Sequence, residues 1–449
     1  MRTSFFITGG LFSILNGFAQ QSVKLITLDP GHFHAALVQK SMYLQVDPTV
    51  HVYAKKGTDL DLHLGRIKGY NSAPVSPTQW NEVVYAGDDY LQKMLQEKKG
   101  NVVVLAGNNQ LKTDYILRSV QSGFNVFADK PMAITEKGFQ QLKTAFATAK
   151  KNNLLLYDIM TERYEITTIL QKELSMQPGL FGALQKGTTA EPAVTKESVH
   201  HFYKYVSGAV LTRPAWFLDI DQEGAGIVDV TTHLVDLVQW ECFPGVTLDY
   251  LKDIKLASAK SWPTVITKDQ FTELTKIPTL PDYLEKYADD KKDLHVFCNG
   301  EINYTIKGVH AKVSVQWNYK APDGTADTHY SIMRGTKANL IIRQGAEQQY
   351  KPVLYIEPLE NSAAFETAAQ KAIEKISAQY KGISLKKNAT GWEVLIPELL
   401  AEGHESHFAR VTQKYLDYLL HHNMPSWEVP NMLAKYYTTT QAQKLAAKK

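Results

Sequence analysis

The strongest constraint on the fold lies in the first 160 residues, where short apolar runs alternate with helical stretches. Residues 23–29, 51–54, 83–85, 101–106, 125–128 and 154–157 read as strands. The run 101–106 (NVVVLA) is apolar without alternation, the pattern of a strand covered on both faces. A helical pattern starts near Phe33, Asp88 fits the N-cap of a helix over 89–97, another helix spans 113–122, and Thr135 caps one running to Lys151. Such alternation predicts a parallel sheet with right-handed crossovers. Ligands on these sheets sit beyond the carboxyl ends of the strands. That directs attention to residues 30–34, 55–56, 107–109, 129–131 and 158–163.

From Glu301 onward the pattern changes. In 309–320 (VHAKVSVQWNYK), Val309, Ala311, Val313, Val315, Trp317 and Tyr319 fall on one face and polar residues on the other. That is a half-buried strand of an antiparallel sheet. The turn Pro322-Asp323-Gly324 predicts a hairpin into 328–333, and Gly335-Thr336 a second turn before a strand over 339–343. Residues 364–449 read as mainly helical. The expected organisation is therefore an α/β domain over 20–160 and an α+β domain over 161–449. The second is built on an open, mostly antiparallel sheet with a helical C-terminal extension. One face of that sheet packs on helices, and the other is available to cover a ligand or meet a second subunit.

Composition removes several classes of function. Lys and Arg total 49 against 46 Asp and Glu, a net of +3, which provides no electrostatic footprint for nucleic acid. Two cysteines, Cys242 and Cys298, exclude a disulfide-rich scaffold and a thiolate zinc site. The first residues have the layout of a secretory signal: Arg2, an apolar stretch over 5–15, then Gly17-Phe18-Ala19 ahead of a cut after Ala19. With no later run long enough to span a bilayer, the mature protein is expected to be exported, secreted or periplasmic. Whether the two cysteines pair there is left open.

The turn after the first strand, DPGHFHAA, retains Gly31 from the three-glycine fingerprint that seats a dinucleotide pyrophosphate on a helix N-terminus. His32 and His34 flank it, placed for hydrogen bonds to a ligand or for local packing. Residues 101–135 then run from a strand through a helix ending at Gly123 to a second strand and Asp129-Lys130-Pro131. Residues 223–240 (EGAGIVDVTTHLVDLVQW) supply a glycine-rich lead, Asp229 and His233. If helical, Asp229 and His233 share one face. Together the two motifs resemble the Gfo/Idh/MocA family of nicotinamide-dependent sugar oxidoreductases, whose Rossmann domain carries Glu-Lys-Pro at the first of them. The resemblance covers roughly residues 23 to 344. The sequence departs from the family at several points. The three-glycine turn is lost, Asp129 replaces Glu, and Thr231 stands where Gly is common. Lys55 and Lys56 occupy the second-strand end, where an acid would bind ribose.

The resemblance implies a bound nicotinamide, NAD(P) with NAD preferred, held by Gly31, His32, Phe33, His34, Gly107, Asn108, Asn109, Asp129 and Lys130. It also implies catalysis by Lys130, Asp229 and His233, with Arg163, Asp229 and His233 on the substrate. Lys130 would orient the reacting hydroxyl and stabilise its charge, and His233 would act as general acid and base. The expected reaction is hydride transfer to or from a ring hydroxyl, carbon 3 by preference, of a sugar or glycoside. Export makes free cofactor scarce, so tight binding and recycling by a second substrate or redox partner are expected. Glycoside cleavage by transient oxidation uses the same residues, and a non-catalytic sugar-binding protein is the rival from another class. His404, Glu405 and His407 (GHESHF) do not form the His-Glu-x-x-His zinc pattern, and no metal site is expected.

Overall fold

The computed structural model describes residues 23–206 and 209–447, so the expected signal segment, 1–19, lies outside the described residues. The first domain is a six-stranded sheet of β1 (Leu25–Leu28), β2 (Thr49–Ala54), β3 (Asn81–Ala86), β4 (Val102–Leu105), β5 (Asn125–Asp129) and β6 (Leu156–Ile159). All strands are parallel, in the order β3-β2-β1-β4-β5-β6. Every residue of β1 and β4 is buried, as the unbroken apolar runs require. The order reverses between these two strands, and there the turns that follow them meet. A Cβ on Gly107 would lie 2.2 Å from the Asp29 carbonyl oxygen, so only glycine allows this approach. Asp29 itself has φ +50°, the left-handed backbone.

Two helices differ from expectation. The one after β1 is only His34–Val38; the Gln39 carbonyl accepts from the Trp80 indole at 2.6 Å, and the chain turns away. Between β2 and β3 lies the helix Thr58–Asn71, which the sequence hides behind Gly65, Gly69 and a narrow buried face of Leu60, His63 and Ile67.

Beside these elements, Glu82 on β3 has one neutral partner among the described residues, the Gln39 amide at 2.6 Å, and its buried Oε2 has none there. Burial pushes its carboxyl up to about 7. A carboxyl raised on folding makes the native state bind the proton longer than the unfolded chain does. Stability therefore falls as pH rises from about 4.5 to about 7, by at most about 3 kcal/mol, and then levels. Glu82→Gln is expected to remove that slope. Melting temperatures at pH 5 and pH 8 check it: the variant should gain on the parent at pH 8, and an equal difference at both would contradict the assignment.

The second domain holds a nine-stranded sheet. Its strands are β7 (Val194–Tyr203), β10 (Ile254–Ile266), β11 (Leu294–Ile306), β12 (Val309–Lys320), β13 (Thr328–Arg334), β14 (Ala338–Gln344), β15 (Val353–Pro358), β16 (Ser384–Lys387) and β17 (Trp392–Leu395). A two-residue ribbon, β8 (Tyr205–Val206) with β9 (Ala209–Val210), stands apart. The large sheet runs β10-β11-β12-β7-β13-β14-β15-β17-β16 and is antiparallel except for β12 beside β7. Alternation along β12 matches its burial. The hairpin expected across Pro322–Gly324 does not form, because β7 inserts between β12 and β13. Asp327, accepting from His201 Nδ1 on β7 at 2.7 Å, fixes the end of that crossing. The second expected hairpin, across Gly335-Thr336, does form as β13–β14.

The C-terminal helices, His404–His421 and Glu428–Ala446, return to the first domain. Phe408, Val411, Tyr415, Leu416, Met432 and Tyr436 join its core, with Tyr415 stacked on Phe127 at 4.5 Å. The extension therefore completes the parallel-sheet layer as well as the second domain. Among the described residues no helix is long and apolar enough to cross a membrane. Both cysteines are free thiols.

Candidate functional site

A cavity of about 530 Å³ opens between the two domains. The first domain contributes His32, Phe33, His34 and Lys130 to it; the glycine-rich lead and the helix after it contribute Glu223, Asp229 and His233. The large sheet closes the far side with His200, Trp317 and, just before β13, Asp327, and the helix His404–His421 adds His404 and His407.

Lys130 leaves the end of β5, and its Nζ donates to Asp229 Oδ1 inside the wall. Burial alone would lower the lysine's pKa, but the carboxylates of Asp229, Asp129 and Glu223 outweigh it and hold the ammonium charged. Asp229 thus pairs with Lys130 and not, as expected, with His233. The reason is local: the helix begins only at Thr231 (Thr231–Cys242), and Asp229 sits in the preceding turn, off the helical face. Close packing fixes that turn. A Cβ on Gly226 would lie 1.7 Å from the Cys298 carbonyl oxygen on β11, which is why the lead must be glycine-rich.

His233 is buried, and its Nδ1 has no hydrogen-bond partner among the described residues. Burial, with the Lys130 charge second, holds its pKa well below the ordinary histidine value, so the imidazole is neutral. A charged lysine and a neutral histidine therefore border one cavity, the pairing that proton transfer beside a developing oxyanion needs.

Of the other residues expected at the site, six do not border the cavity. Gly31 and Gly107 pack the two turns together. Asn108 caps the helix Asn109–Gln121 and donates to Gln222 at 2.7 Å. Asn109 donates to the Glu223 carbonyl and carboxylate at 2.7 and 2.9 Å. Both asparagines thus bind the two motifs to each other. Asp129 accepts from His34 Nδ1 at 2.9 Å. Arg163, expected on substrate, is instead paired with Asp236 through two bonds of 2.6 and 2.7 Å and with Glu428 at 3.1 Å. Lys55 and Lys56 are exposed.

Sequence reasoning missed Arg213 and Phe217 on the cavity wall, and gave no role to Glu162 and Glu223 within the segments it singled out. Arg213 lies over the Phe217 ring at 4.3 Å and makes no ion pair among the described residues. No local pattern flags it. Glu223 opens the motif and could have been found there: burial first, then Asp229, raises its carboxyl well above the usual range.

These residues fit a nicotinamide at its reacting end, where Lys130, Asp229 and His233 converge on open space. Left-handed Asp29 fills the backbone role of the fingerprint's first glycine. One departure stands at Gly31. The Trp216 ring lies 2.9 Å from where a Cβ would be, and its indole donates to Asp59 at 2.8 Å. Trp216 thus covers the bare α-carbon that a diphosphate would approach.

Comparison with known proteins supplies the family. Residues 65–157 match the model described as "Oxidoreductase family, NAD-binding Rossmann fold" and residues 170–447 the "Putative oxidoreductase C terminal domain". No curated protein matches the chain. The crystal structure of a "putative oxidoreductase" from Parabacteroides merdae is 55% identical, covering 96% of this chain and 98% of its own, with a TM-score of 0.93. A levoglucosan dehydrogenase in complex with NADH and levoglucosan shares the fold at 12% identity, TM-score 0.59, with 95% and 98% covered. So does a 3-ketoreductase from Actinomadura kijaniata in complex with NADP, at 13% identity, TM-score 0.55, with 95% and 97% covered. The chain belongs to the Gfo/Idh/MocA oxidoreductases, with an N-terminal Rossmann domain of the NAD-binding type and a C-terminal domain on a nine-stranded sheet.

Proposed function

We propose that this protein oxidises or reduces a ring carbon of a sugar or glycoside, carbon 3 by preference, using a nicotinamide held in the interdomain cavity. The observation that carries the reading is the convergence of Lys130, Asp229 and neutral His233 on one cavity. The sugar-acting levoglucosan dehydrogenase and the 3-ketoreductase of the same fold support the substrate class.

When bound, the nicotinamide supplies the hydride acceptor or donor. The chain's own residues do the rest. The neutral imidazole of His233 takes the hydroxyl proton on a ring nitrogen as the alcohol is oxidised and returns it in the reverse direction. The Lys130 ammonium donates to the same oxygen and stabilises its developing charge. Asp229 fixes the lysine head group by accepting one of its hydrogens. Trp317 and Phe217 add apolar carbon to the cavity wall beside the polar groups, the mixed lining that a small polar ligand needs.

The proposed setting is an exported protein, which the signal-like residues 1–19 support, and in that setting a tightly held cofactor, NAD by preference, is expected. The purified mature protein, denatured and cleared of polypeptide, should release nicotinamide in near-equal amount. Absence of release, with no thermal shift on adding NAD or NADP, would favour a sugar-binding protein instead.

A further inference from the structure

Two departures of this sequence from its family meet at one point in the fold. His34 stands where the fingerprint has its third glycine, and Asp129 stands where Glu is usual. The structure brings them to contact: His34 Nδ1 lies 2.9 Å from Asp129 Oδ2. His32, two residues earlier on the same turn, brings its own Nδ1 to 3.5 Å from the same oxygen. That nitrogen is buried and has no hydrogen bond among the described residues. The two imidazoles stand nearly perpendicular, 88°, with centroids 4.1 Å apart. The three ligand atoms all lie within 4.8 Å of one another.

We propose that His32, His34 and Asp129 form a binding site for a divalent transition-metal ion of the zinc class. Two imidazoles and one carboxylate are a donor set that suits such an ion. Tetrahedral coordination at about 2.0–2.2 Å separates ligand atoms by roughly 3.4 Å, and the two measured separations bracket that value. An isolated His–Asp pair explains one imidazole. It leaves the second nitrogen buried beside an oxygen already in use, a cost with no return unless a cation joins all three. The neighbouring cations do not fill that place. Lys130 is paired with Asp229, and Lys112 donates to the Asn109 side chain and the Asp129 backbone carbonyl. His32 and His34 also border the cavity, which leaves room beside them for a fourth ligand, water or a substrate oxygen. The ion would displace the proton between His34 and Asp129.

The test uses the full mature protein stripped with chelator and titrated with Co²⁺. Visible absorption saturating at one equivalent, then lost on adding Zn²⁺, is the expected result. His32→Ala removes no Nδ1 hydrogen bond seen among the described residues, so it should fold normally and weaken Co²⁺ binding at least ~100-fold, as should Asp129→Asn. Loss of an outer-sphere partner alone costs 10–100-fold. His407→Ala, on the same cavity but outside the triad, should bind as the parent does. No absorption band in the parent, or equal binding by the parent and His32→Ala, would overturn the site. Nicotinamide released from the same stripped sample is measured separately, so failure here and failure of the oxidoreductase reading remain distinct.

Discussion

Replacing Lys435 by methionine is expected to lower the unfolding free energy by about 3–5 kcal/mol. Lys435 is fully buried, and its Nζ lies 2.6 Å from Asp158 Oδ2 and 2.8 Å from Asp236 Oδ1. Asp236 also holds Arg163, Arg163 holds Glu428, and Tyr436 donates to Asp158 at 2.9 Å. Two cations thus balance three carboxylates in one buried cluster. Methionine fills the volume but leaves a single arginine against those three acids. An uncompensated charge in low dielectric is far more costly than the net worth of the intact pair. The cluster joins β6, the Arg163 turn, the helix that bears His233 and the last helix of the chain, so its loss should loosen the site as well. Urea unfolding measures the change. Lys387→Ala, at the exposed pair with Glu366, is the control and should move stability by less than about 1 kcal/mol. A similar small change for Lys435→Met would contradict the account of the cluster.

His233→Asn is expected to reduce turnover at least ~100-fold while leaving the melting temperature close to the parent's, because it removes the proton acceptor and keeps a planar polar side chain. Lys130→Met should cost at least as much turnover, but it also strands the Asp229 carboxylate in a buried wall. The informative protein is therefore the double variant Lys130→Met with Asp229→Asn. Neutral side chains on both sides should restore stability and leave turnover lost. Recovery of turnover along with stability would show that the lysine only supports the wall.

Much of the scaffold was legible because its signals are local. The unbroken NVVVLA run becomes buried β4, and the alternation in 309–320 becomes β12. The hairpin after β12 failed because a turn signal names a reversal and not the strand that will lie alongside; β7, over a hundred residues earlier, takes that place. The site was legible as a pair of motifs, and both deliver residues to one cavity. Their partners were not. Asp229 and His233, four apart, suggested a helical pair, yet the helix starts two residues too late and Lys130 claims the acid. Arg163 meets acids 73 and 265 residues away, a spacing that carries no pattern. The His34–Asp129 contact likewise spans 95 residues. Each half of it reads alone as a departure from the family and becomes meaningful only when folded.

If Lys130 and His233 serve hydride transfer on a carbohydrate, a glycoside is converted at the expense of the nicotinamide, and both changes can be followed together. The mature protein is incubated with a panel of glycosides, and the products are weighed while nicotinamide absorbance is followed. The expected product is a glycoside lacking two hydrogens, formed as the nicotinamide is reduced, and absent with His233→Asn. Glycosides that bind the cavity yet return unaltered, with no change in the nicotinamide, would contradict it.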